Sequence, residues 1–212
     1  MSVPLYAFKI ELKEIKPKIW RKFFVPSDVS LAMFHEAIQQ VMGWLNYHFY
    51  SYKLSGVEYL NPDPHGLLSE IPNTKEIDLK KVKLYEFYPY FESNFEYLYD
   101  FGDGWTHRLK VIDTDYTPLN SDLIFGCLAG ARRCPIEDCG GTRGYYEVLK
   151  ILADKNHEEY EDTLIWAPEG YDPEKFDLKA VNNRLMLVQI KYTLRQIDTQ
   201  ATKMLVDLMI KQ

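Results

Sequence analysis

The sequence predicts an α+β domain, with an antiparallel or mixed sheet from its N-terminal half and packed helices mostly from its C-terminal half. Apolar and polar residues alternate in several stretches before residue 112, as in half-buried strands, whereas apolar residues follow helical spacing after residue 142. The 212 residues are 46% hydrophobic and 26% charged, which is ordinary for a folded chain. We expect one domain over residues 1–212, with its core at about 5–185 and a helical C-terminal extension at about 186–212.

The first elements follow from local patterns. Residues 4–13 and 19–25 predict two antiparallel strands joined by a turn at Lys16-Pro17-Lys18. Ser30 is predicted to cap the helix that follows, and Gly43 is predicted to end it.

The next segments carry weaker signals. Residues 47–54 predict a strand that begins with His48 and has Tyr50 in phase with it. Residues 61–74 are rich in Pro and predict a loop, and residues 76–87 predict a strand.

Residues 95–112 predict a β-hairpin around Gly102-Asp103-Gly104. A three-residue loop puts both apolar rows on one face of the hairpin, whereas a two-residue loop puts them on opposite faces. The three-residue loop sets two cross-strand pairs, Tyr99 with His107 and Glu96 with Lys110.

The C-terminal half begins with an irregular segment, residues 113–141, which is rich in Gly and Pro. We expect residues 127–141 to pack against the domain with little regular structure. Thr142 is predicted to cap a helix that runs to about Ala153. Further helices are predicted around Leu164, from Pro173 through Val188, and over residues 199–211.

Composition excludes several protein classes. No apolar run approaches the ~18 residues that span a bilayer, and the first residues form no signal-peptide apolar block. Three cysteines argue against a disulfide framework. We therefore expect a cytoplasmic protein without membrane association.

Charge is segregated along the chain, although the net charge is −6. Residues 1–26 and 178–212 are basic, whereas residues 153–177 are strongly acidic. A negative total does not favour nucleic-acid binding, which would need a local basic face made of Lys9, Lys13, Lys16, Lys18, Arg21 and Lys22.

Three groups of motif residues resemble one known family. They are Trp20, Arg21, Gly43 and Trp44; then Tyr99, Asp100, Phe101, Gly102, Asp103, Trp105 and His107; then Cys127, Gly130, Pro135, Glu137, Asp138, Gly140, Gly141, Gly144 and Tyr145. Over roughly residues 5–185 the chain resembles the plasmid pRiA4b ORF-3-like family. Ile136 stands where the family usually has a second proline, and Thr142-Arg143 stand where it often has an aromatic residue. The resemblance implies a small α+β domain associated with mobile elements such as plasmids and transposons. It implies no established activity.

The polar motif residues are the candidates for catalysis: Asp100, Asp103, His107, Glu137 and Asp138. Carboxylates and a histidine that converge could hold a divalent cation and activate a water. The same carboxylates could instead brace turns through backbone hydrogen bonds, and this is the role we expect. The two roles differ in one observable, namely whether at least three of the groups point into one cleft.

Two other metal or catalytic arrangements are possible. His48 and His107 would flank a site if their strands were neighbours. Cys127, Cys134 and Cys139 would need a fourth ligand such as His157 to bind zinc, but their spacing matches no common zinc module. We expect buried thiols, no resident metal and no cofactor.

A candidate anion site surrounds the predicted start of the helix near residue 142. Its residues are Arg132, Arg133, Gly140, Gly141, Thr142 and Arg143. Alternatively, the glycines allow a tight turn and the arginines pair with Glu137 and Asp138.

Three functions remain open from the sequence. The first is a non-enzymatic binding or accessory module of mobile-element origin, which acts through a protein partner. The second is a metal-dependent hydrolase that uses the carboxylate and histidine cluster. The third is a nucleic-acid-binding accessory protein that uses residues 9–22.

Overall fold

The computed structural model describes residues 3–62, 73–91 and 95–210 and confirms the α+β architecture, with an eight-stranded mixed sheet. The strands are β1 (Leu5–Leu12), β2 (Trp20–Pro26), β3 (Tyr50–Leu54), β4 (Val57–Leu60), β5 (Thr74–Glu76), β6 (Phe95–Tyr99), β7 (Trp105–Asp113) and β8 (Gly126–Ala131). The helices are α1 (Leu31–Met42), α2 (Gly141–Ala153), α3 (Tyr160–Trp166) and α4 (Leu178–Ile210), with a short 3₁₀ helix at Leu84–Tyr90.

The sheet runs in the order β5-β4-β3-β6-β7-β1-β2-β8. Only the pairing of β4 with β5 is parallel among the described strands. One face carries the aromatic core, to which Phe8, Phe23 and Phe34 belong. The other face carries charged residues such as Lys9 and Glu11, because side chains alternate across a strand.

Helix α1 begins and ends as predicted. The side chain of Ser30 accepts a hydrogen bond from the backbone N–H of Met33 at 3.1 Å, and Gly43 ends the helix with a φ of 102°. A left-handed φ favours glycine because a Cβ is disfavoured there. The helix buries Phe34 and Ile38 against the sheet.

The hairpin of β6 and β7 has a wider turn than predicted. Tyr99 lies opposite Trp105, so the loop runs from Asp100 to Gly104. Two predicted cross-strand pairs are therefore wrong: the observed pairs are Tyr97 with His107 and Glu96 with Arg108, rather than Tyr99 with His107 and Glu96 with Lys110.

Asp100 explains the wider turn. It has a left-handed φ of 59°, and its Oδ1 accepts a hydrogen bond from the N–H of Gly102 at 2.8 Å. The backbone N–H of Gly104 also donates to the carbonyl of Asp100 at 2.7 Å, so strand pairing ends before this loop. The predicted and observed registers differ by an even number of residues, so both apolar rows still lie on the core face.

Two other predictions in the first half need correction. Strand β3 begins at Tyr50, so His48 precedes the strand. The strand predicted at 76–87 is wrong: β5 ends at Glu76, and the 3₁₀ helix occupies the later part of that segment. Most of the loop predicted at 61–74 lies outside the described residues, but Thr74 begins β5.

The segment predicted to be irregular contains an edge strand, β8, which pairs antiparallel with β2. Glycine is needed there, because a Cβ on Gly126 would lie 2.6 Å from the ring of Phe24, and one on Gly130 would lie 2.7 Å from Arg21 Cδ. The expectation of little regular structure over 127–141 is therefore wrong for its first residues. Cys134 and Ile136 of the same segment are buried.

Two helix predictions near the C-terminus also change. The N-cap of α2 is Gly140, with a φ of 88°, and Thr142 does not cap the helix. The helices predicted through Val188 and over 199–211 form one helix of 33 residues up to Ile210, because nothing between them breaks the helix. Among the described residues, no helix combines the length and apolar character that a membrane span requires.

Candidate metal centre

The loop between α1 and β3 forms one wall of the candidate site. Trp44 turns inward and is 3% exposed, and its indole Nε1 donates to Nε2 of His107 at 3.2 Å. This buried anchor fixes the residues that follow. As a result, the backbone N–H of Leu45 meets Glu137, and the side chain of His48 faces three carboxylates.

The loop of the β6–β7 hairpin supplies Asp100. Its Oδ1 accepts from the N–H groups of Gly102 and Asp103, at 2.8 and 3.3 Å, and its own backbone N–H donates to the carbonyl of Phe49 at 2.9 Å. Asp suits this position because its side chain bonds the amides of its own turn. These contacts fix the carboxylate and leave Oδ2 directed towards His48.

The segment between β8 and α2 supplies Glu137 and Asp138. Oε1 of Glu137 accepts from the backbone N–H of Leu45 at 2.7 Å and from the hydroxyl of Tyr99 at 3.1 Å. Oε2 of Glu137 is buried and has no hydrogen-bond partner among the described residues. The side chain of Asp138 is 71% exposed, so it lies at the solvent edge of the same group.

The three carboxylates converge on one imidazole. Nε2 of His48 lies 3.2 Å from Asp138 Oδ1, 3.6 Å from Asp100 Oδ2 and 3.8 Å from Glu137 Oε2. One ligand atom each from His48, Asp100 and Asp138 lie within 4.8 Å of one another. No other such group of three occurs in the described part of the chain.

Burial shapes the electrostatics of this group. The side chains of Asp100 and Glu137 are only 7% and 10% exposed. Burial raises the pKa of Glu137 above its ordinary value, although hydrogen bonds from Leu45 and Tyr99 act in the opposite direction. Burial also raises the pKa of Tyr99, so its hydroxyl stays protonated and donates to Glu137.

Asp103 lies beside this group but acts on another partner. Its Oδ2 accepts from the backbone N–H of Gly140 at 3.2 Å, at the start of α2. A Cβ on Gly141 would lie 2.6 Å from the carbonyl oxygen of Asp103, so glycine allows the hairpin loop and α2 to approach closely. Asp103 therefore ties the two loops that carry Asp100 and Glu137.

His107 lies in the core and is fully buried. Nε2 accepts from Trp44, and Nδ1 lies 3.2 Å from the carbonyl of Tyr97, to which it donates as the neutral tautomer. Burial lowers the pKa of His107 to about 4. Of the two histidines considered from the sequence, His48 is the one that faces the carboxylates, and His107 supports it through Trp44.

The predicted anion-site residues lie in different environments. Arg132 is buried, and its Nε donates to Glu174 at 2.8 Å, while the guanidinium of Arg133 stacks over Tyr171. Arg143 is exposed. The carboxylate of Asp103 already occupies the amide of Gly140 at the start of α2. Gly141 and Thr142 follow in the first turn of that helix.

The basic face required for nucleic-acid binding is incomplete. Arg21 is 2% exposed and lies on the core side, where its guanidinium donates to the carbonyls of Val41, Ala131 and Arg132. Lys9 and Lys18 both bind Glu11, on the other face of the sheet. The nucleic-acid hypothesis requires all six basic side chains to share one exposed face, and Arg21 does not meet this requirement.

The cysteines form no zinc group among the described residues. All three are free thiols: Cys127 and Cys134 are buried, and Cys139 is half-buried. Burial raises the pKa of Cys127 to about 11, so its thiol stays protonated at neutral pH. A protonated thiol is a poor metal ligand and a poor nucleophile.

Sequence reasoning did not join His48 to the carboxylates. The ligand atoms come from three loops that lie far apart in the sequence, so no local spacing motif exists. One feature of the sequence does point to His48. It follows the Gly43-Trp44 pair that ends α1, and an irregular loop at such a place can carry a functional side chain.

Comparisons with known proteins identify the family of this chain. The family model "Plasmid pRiA4b ORF-3-like protein" matches residues 4–180. The uncharacterized protein y4hQ of Sinorhizobium fredii is 32% identical over 184 residues, which are 86% of this chain and 91% of that protein.

A solved structure shares the fold. The crystal structure of the protein of unknown function MM3350 from Methanosarcina mazei Go1 is similar with a TM-score of 0.70 and 32% identity, and the match covers 84% of this chain and 98% of that one. The names of these two proteins give no activity. The family model spans most of the chain, including all three loops that carry the candidate site, and the chain therefore belongs to the plasmid pRiA4b ORF-3-like family.

Proposed function

We propose that this protein binds one divalent transition-metal ion through His48, Asp100, Glu137 and Asp138 and uses it to hydrolyse a substrate. The observation that carries the proposal is the convergence of three carboxylates on one imidazole nitrogen. The sequence alone favours turn bracing for these carboxylates. Bracing accounts for Oδ1 of Asp100 and Oε1 of Glu137, but it leaves the other oxygen of each carboxylate without a role.

The separations suit shared ligands. Two ligands bound at about 2.1 Å to one ion lie roughly 3.0 Å apart in octahedral and roughly 3.4 Å apart in tetrahedral geometry. The three carboxylate oxygens lie 3.2, 3.6 and 3.8 Å from His48 Nε2. Ligand atoms of His48, Asp100 and Asp138 also lie within 4.8 Å of one another, so a small inward movement would bring these three side chains to one ion. Glu137 lies outside that group of three and would complete the coordination sphere after a larger movement.

A second argument comes from unsatisfied atoms. Nε2 of His48 and Oε2 of Glu137 are both buried, and neither has a hydrogen-bond partner among the described residues. A buried polar atom without a partner costs about 1–3 kcal/mol. A cation between these atoms would remove that cost and offset the negative charge of the carboxylates.

The donor set favours particular metals. Imidazole suits Zn²⁺, Fe²⁺ and similar ions, whereas carboxylates suit Mn²⁺ and Mg²⁺. One imidazole with three carboxylates therefore favours Mn²⁺, Fe²⁺ or Zn²⁺ over Ca²⁺. The buried inner ligands would fix the ion, and the exposed side of Asp138 leaves room for water and substrate.

The hydrolytic step follows from that arrangement. An ion held by these residues would lower the pKa of a water at the open side of the site and would stabilise the negative charge that develops on an attacked carbonyl or phosphoryl group. A carboxylate oxygen that does not bind the ion would accept the proton of the attacking water and return it to the leaving group as the bond to that group breaks.

A hydrolysis assay tests this function. The protein would be stripped with chelator, reloaded with Mn²⁺ or Zn²⁺, and assayed on chromogenic carboxylic and phosphate esters. We expect metal-dependent turnover that Glu137→Gln reduces by at least tenfold and that Glu169→Gln, an exposed carboxylate away from the group, leaves unchanged. Equal turnover by the wild type and Glu137→Gln would contradict the proposal.

An accessory role through a protein partner is the second candidate, and one observation favours it. Leu45, Tyr47 and Phe49 surround His48 in the chain and are 57%, 72% and 56% exposed. Exposed aromatic side chains are typical of recognition surfaces. If the role is recognition alone, Tyr47→Ser should abolish partner capture while the metal-loaded protein shows no turnover on any ester.

A further inference from the structure

Helix α4 carries two apolar stripes on opposite faces. The inward stripe is buried and consists of Val181, Leu185, Val188 and Tyr192. The outward stripe is exposed, and its members are Leu187 at 63%, Ile190 at 52%, Leu194 at 56% and Ile197 at 55%. A helix that packs on one domain needs only one apolar stripe, so the second stripe lacks a partner within the described chain.

The outward stripe has the spacing of a coiled-coil seam. Its members follow one another at intervals of three, four and three residues, and Ala201 comes four residues later. This is the a and d pattern of a heptad repeat, and the sequence continues it at Met204 and Leu208. A seam this narrow is typical of a two-helix contact rather than of a broad core-facing surface.

We propose that the outward stripe of α4 pairs antiparallel with the same stripe of a second copy of this chain. The contact is isologous, because each copy offers the same self-complementary surface. Leu194 would pack against Ile197 of the second copy, and Ile190 would pack against Ala201. This inference is independent of the proposed metal site, which lies on other elements.

Charge complementarity favours a second copy in this orientation. Lys191 and Asp198 occupy the same flanking position, e, of successive heptads. In the antiparallel register that pairs Leu194 with Ile197, Lys191 of each copy comes near Asp198 of the other, so the attraction occurs twice. The ammonium of Lys191 also binds Glu36 of its own chain at 2.7 Å, but its side chain is 58% exposed and can face both carboxylates. A parallel pair would instead set Lys191 beside Met186 and Asp198 beside Thr193, which are uncharged.

The body of the protein leaves this surface accessible. Lys191 and Arg195 reach Glu36 of α1, and the hydroxyl of Tyr192 donates to Asp28, so α4 is held by its inward side. Monomeric proteins rarely expose a continuous row of large aliphatic side chains. The helix, with 33 residues, is about 50 Å long at 1.5 Å per residue, so it is long enough to pair over several heptads.

Sedimentation equilibrium at tens of micromolar protein tests the dimer. We expect the wild type to have twice the chain mass of 25.0 kDa. Leu194→Asp should be monomeric with an unchanged far-ultraviolet circular dichroism spectrum, because the side chain is exposed and not part of the core. Thr199→Asp, on the same helix but off the seam, should remain dimeric. A monomeric wild type, or a dimeric Leu194→Asp, would overturn the proposal.

A charge exchange tests the orientation. Asp198→Lys should weaken the dimer at least tenfold, because it places two lysines together. Lys191→Glu should weaken it as well, but it also places a carboxylate beside Glu36 of its own chain, so its circular dichroism spectrum is compared with that of the wild type before its dimer affinity is measured. The double variant should recover most of the affinity, since the two exchanged side chains again carry opposite charges and meet in the antiparallel register. Single variants that weaken the dimer without recovery in the double variant would show a different orientation and contradict the antiparallel pairing.

Discussion

Asp103 joins the hairpin loop to α2 through a single side-chain hydrogen bond to Gly140. Asp103→Ala removes this bond and the brace between the two loops, so we expect it to lower the free energy of unfolding by about 1–2 kcal/mol. Urea denaturation of the two proteins measures the difference. Because Asp103 does not face His48 but ties the loops that carry Asp100 and Glu137, the variant should still bind one ion, with lower affinity. Unchanged stability would contradict this assignment.

Because two histidines are buried, we expect the free energy of unfolding to decrease at acidic pH. Burial lowers the pKa of His35 and of His107 to about 4, below the unfolded value of 6.5. Between these values the unfolded chain binds protons that the folded chain does not, so stability is lost as pH falls from 6.5 towards 4. Each histidine contributes up to about 1.4 kcal/mol per pH unit in this window.

The measurement is urea denaturation at pH 7 and pH 5. His35→Gln should reduce the pH dependence, because only His107 then remains neutral in the core. Far-ultraviolet circular dichroism at pH 7 checks that the variant is folded. An equal slope for the wild type and His35→Gln would argue against this origin of acid sensitivity.

The contact between the hairpin loop and α2 depends on Gly141. Gly141 and Gly56 both have a left-handed φ, 67° and 83°, but only at Gly141 would a Cβ lie 2.6 Å from backbone, the carbonyl of Asp103. Gly56→Ala should cost about 1–2 kcal/mol from backbone strain alone. Gly141→Ala should cost more, by on the order of 1–3 kcal/mol, and should weaken metal binding because the loops move apart.

Thermal melts with and without Mn²⁺ measure both effects. Gly56 and Gly141 have similar φ angles, so the two alanine variants have similar backbone strain. The difference between their stabilities therefore measures the steric clash with Asp103. If Gly141→Ala and Gly56→Ala lost the same stability and kept the same response to Mn²⁺, the close approach of α2 would not position the site.

The open face of the sheet carries two kinds of charge row. Glu11, Arg108, Glu96, Lys53 and Glu58 are successive cross-strand neighbours with alternating sign. In the adjacent row, three lysines are neighbours: Lys22, Lys9 and Lys110. Cross-strand pairs of opposite sign contribute roughly 0.2–1 kcal/mol, and like charges oppose pairing.

These rows predict opposite effects of the same substitution. Lys110→Glu should raise the free energy of unfolding by a few tenths of a kcal/mol up to about 1 kcal/mol, because it places opposite charges together. Lys53→Glu should lower it by a similar amount, because it places Glu between two glutamates. Chemical denaturation at low salt compares the variants, and the same sign of change in both would contradict this view of the sheet.

For the whole molecule, sequence patterns predicted the elements better than their connections. The α+β class, β1, β2 and α1 with its Ser30 cap follow from local periodicity and local capping, and the structure confirms them. The hairpin register failed because Asp100 ends strand pairing through its own side chain, an effect that apolar alternation does not report. Strand β8 was missed because a glycine-containing edge strand depends on its partner β2.

The candidate site depends on tertiary contacts even more strongly. Asp100, Glu137 and Asp138 stood out in the sequence, but their approach to His48 depends on three separate loops. Trp44 on His107, and Asp103 on Gly140, hold two of those loops in place. Such long-range contacts have no fixed spacing along the chain. The sequence therefore predicted the carboxylates as candidate residues but did not pair them with His48.

Calorimetric titration of the chelator-treated protein with Mn²⁺, and separately with Zn²⁺, measures the proposed site directly. We predict one ion per chain in the wild type, with affinity reduced at least tenfold in His48→Ala and in Glu137→Gln and unchanged in Glu169→Gln. Absence of saturable binding in the wild type, or equal binding by His48→Ala, would contradict the site. His48 would then be a neighbour of the three carboxylates rather than a metal ligand.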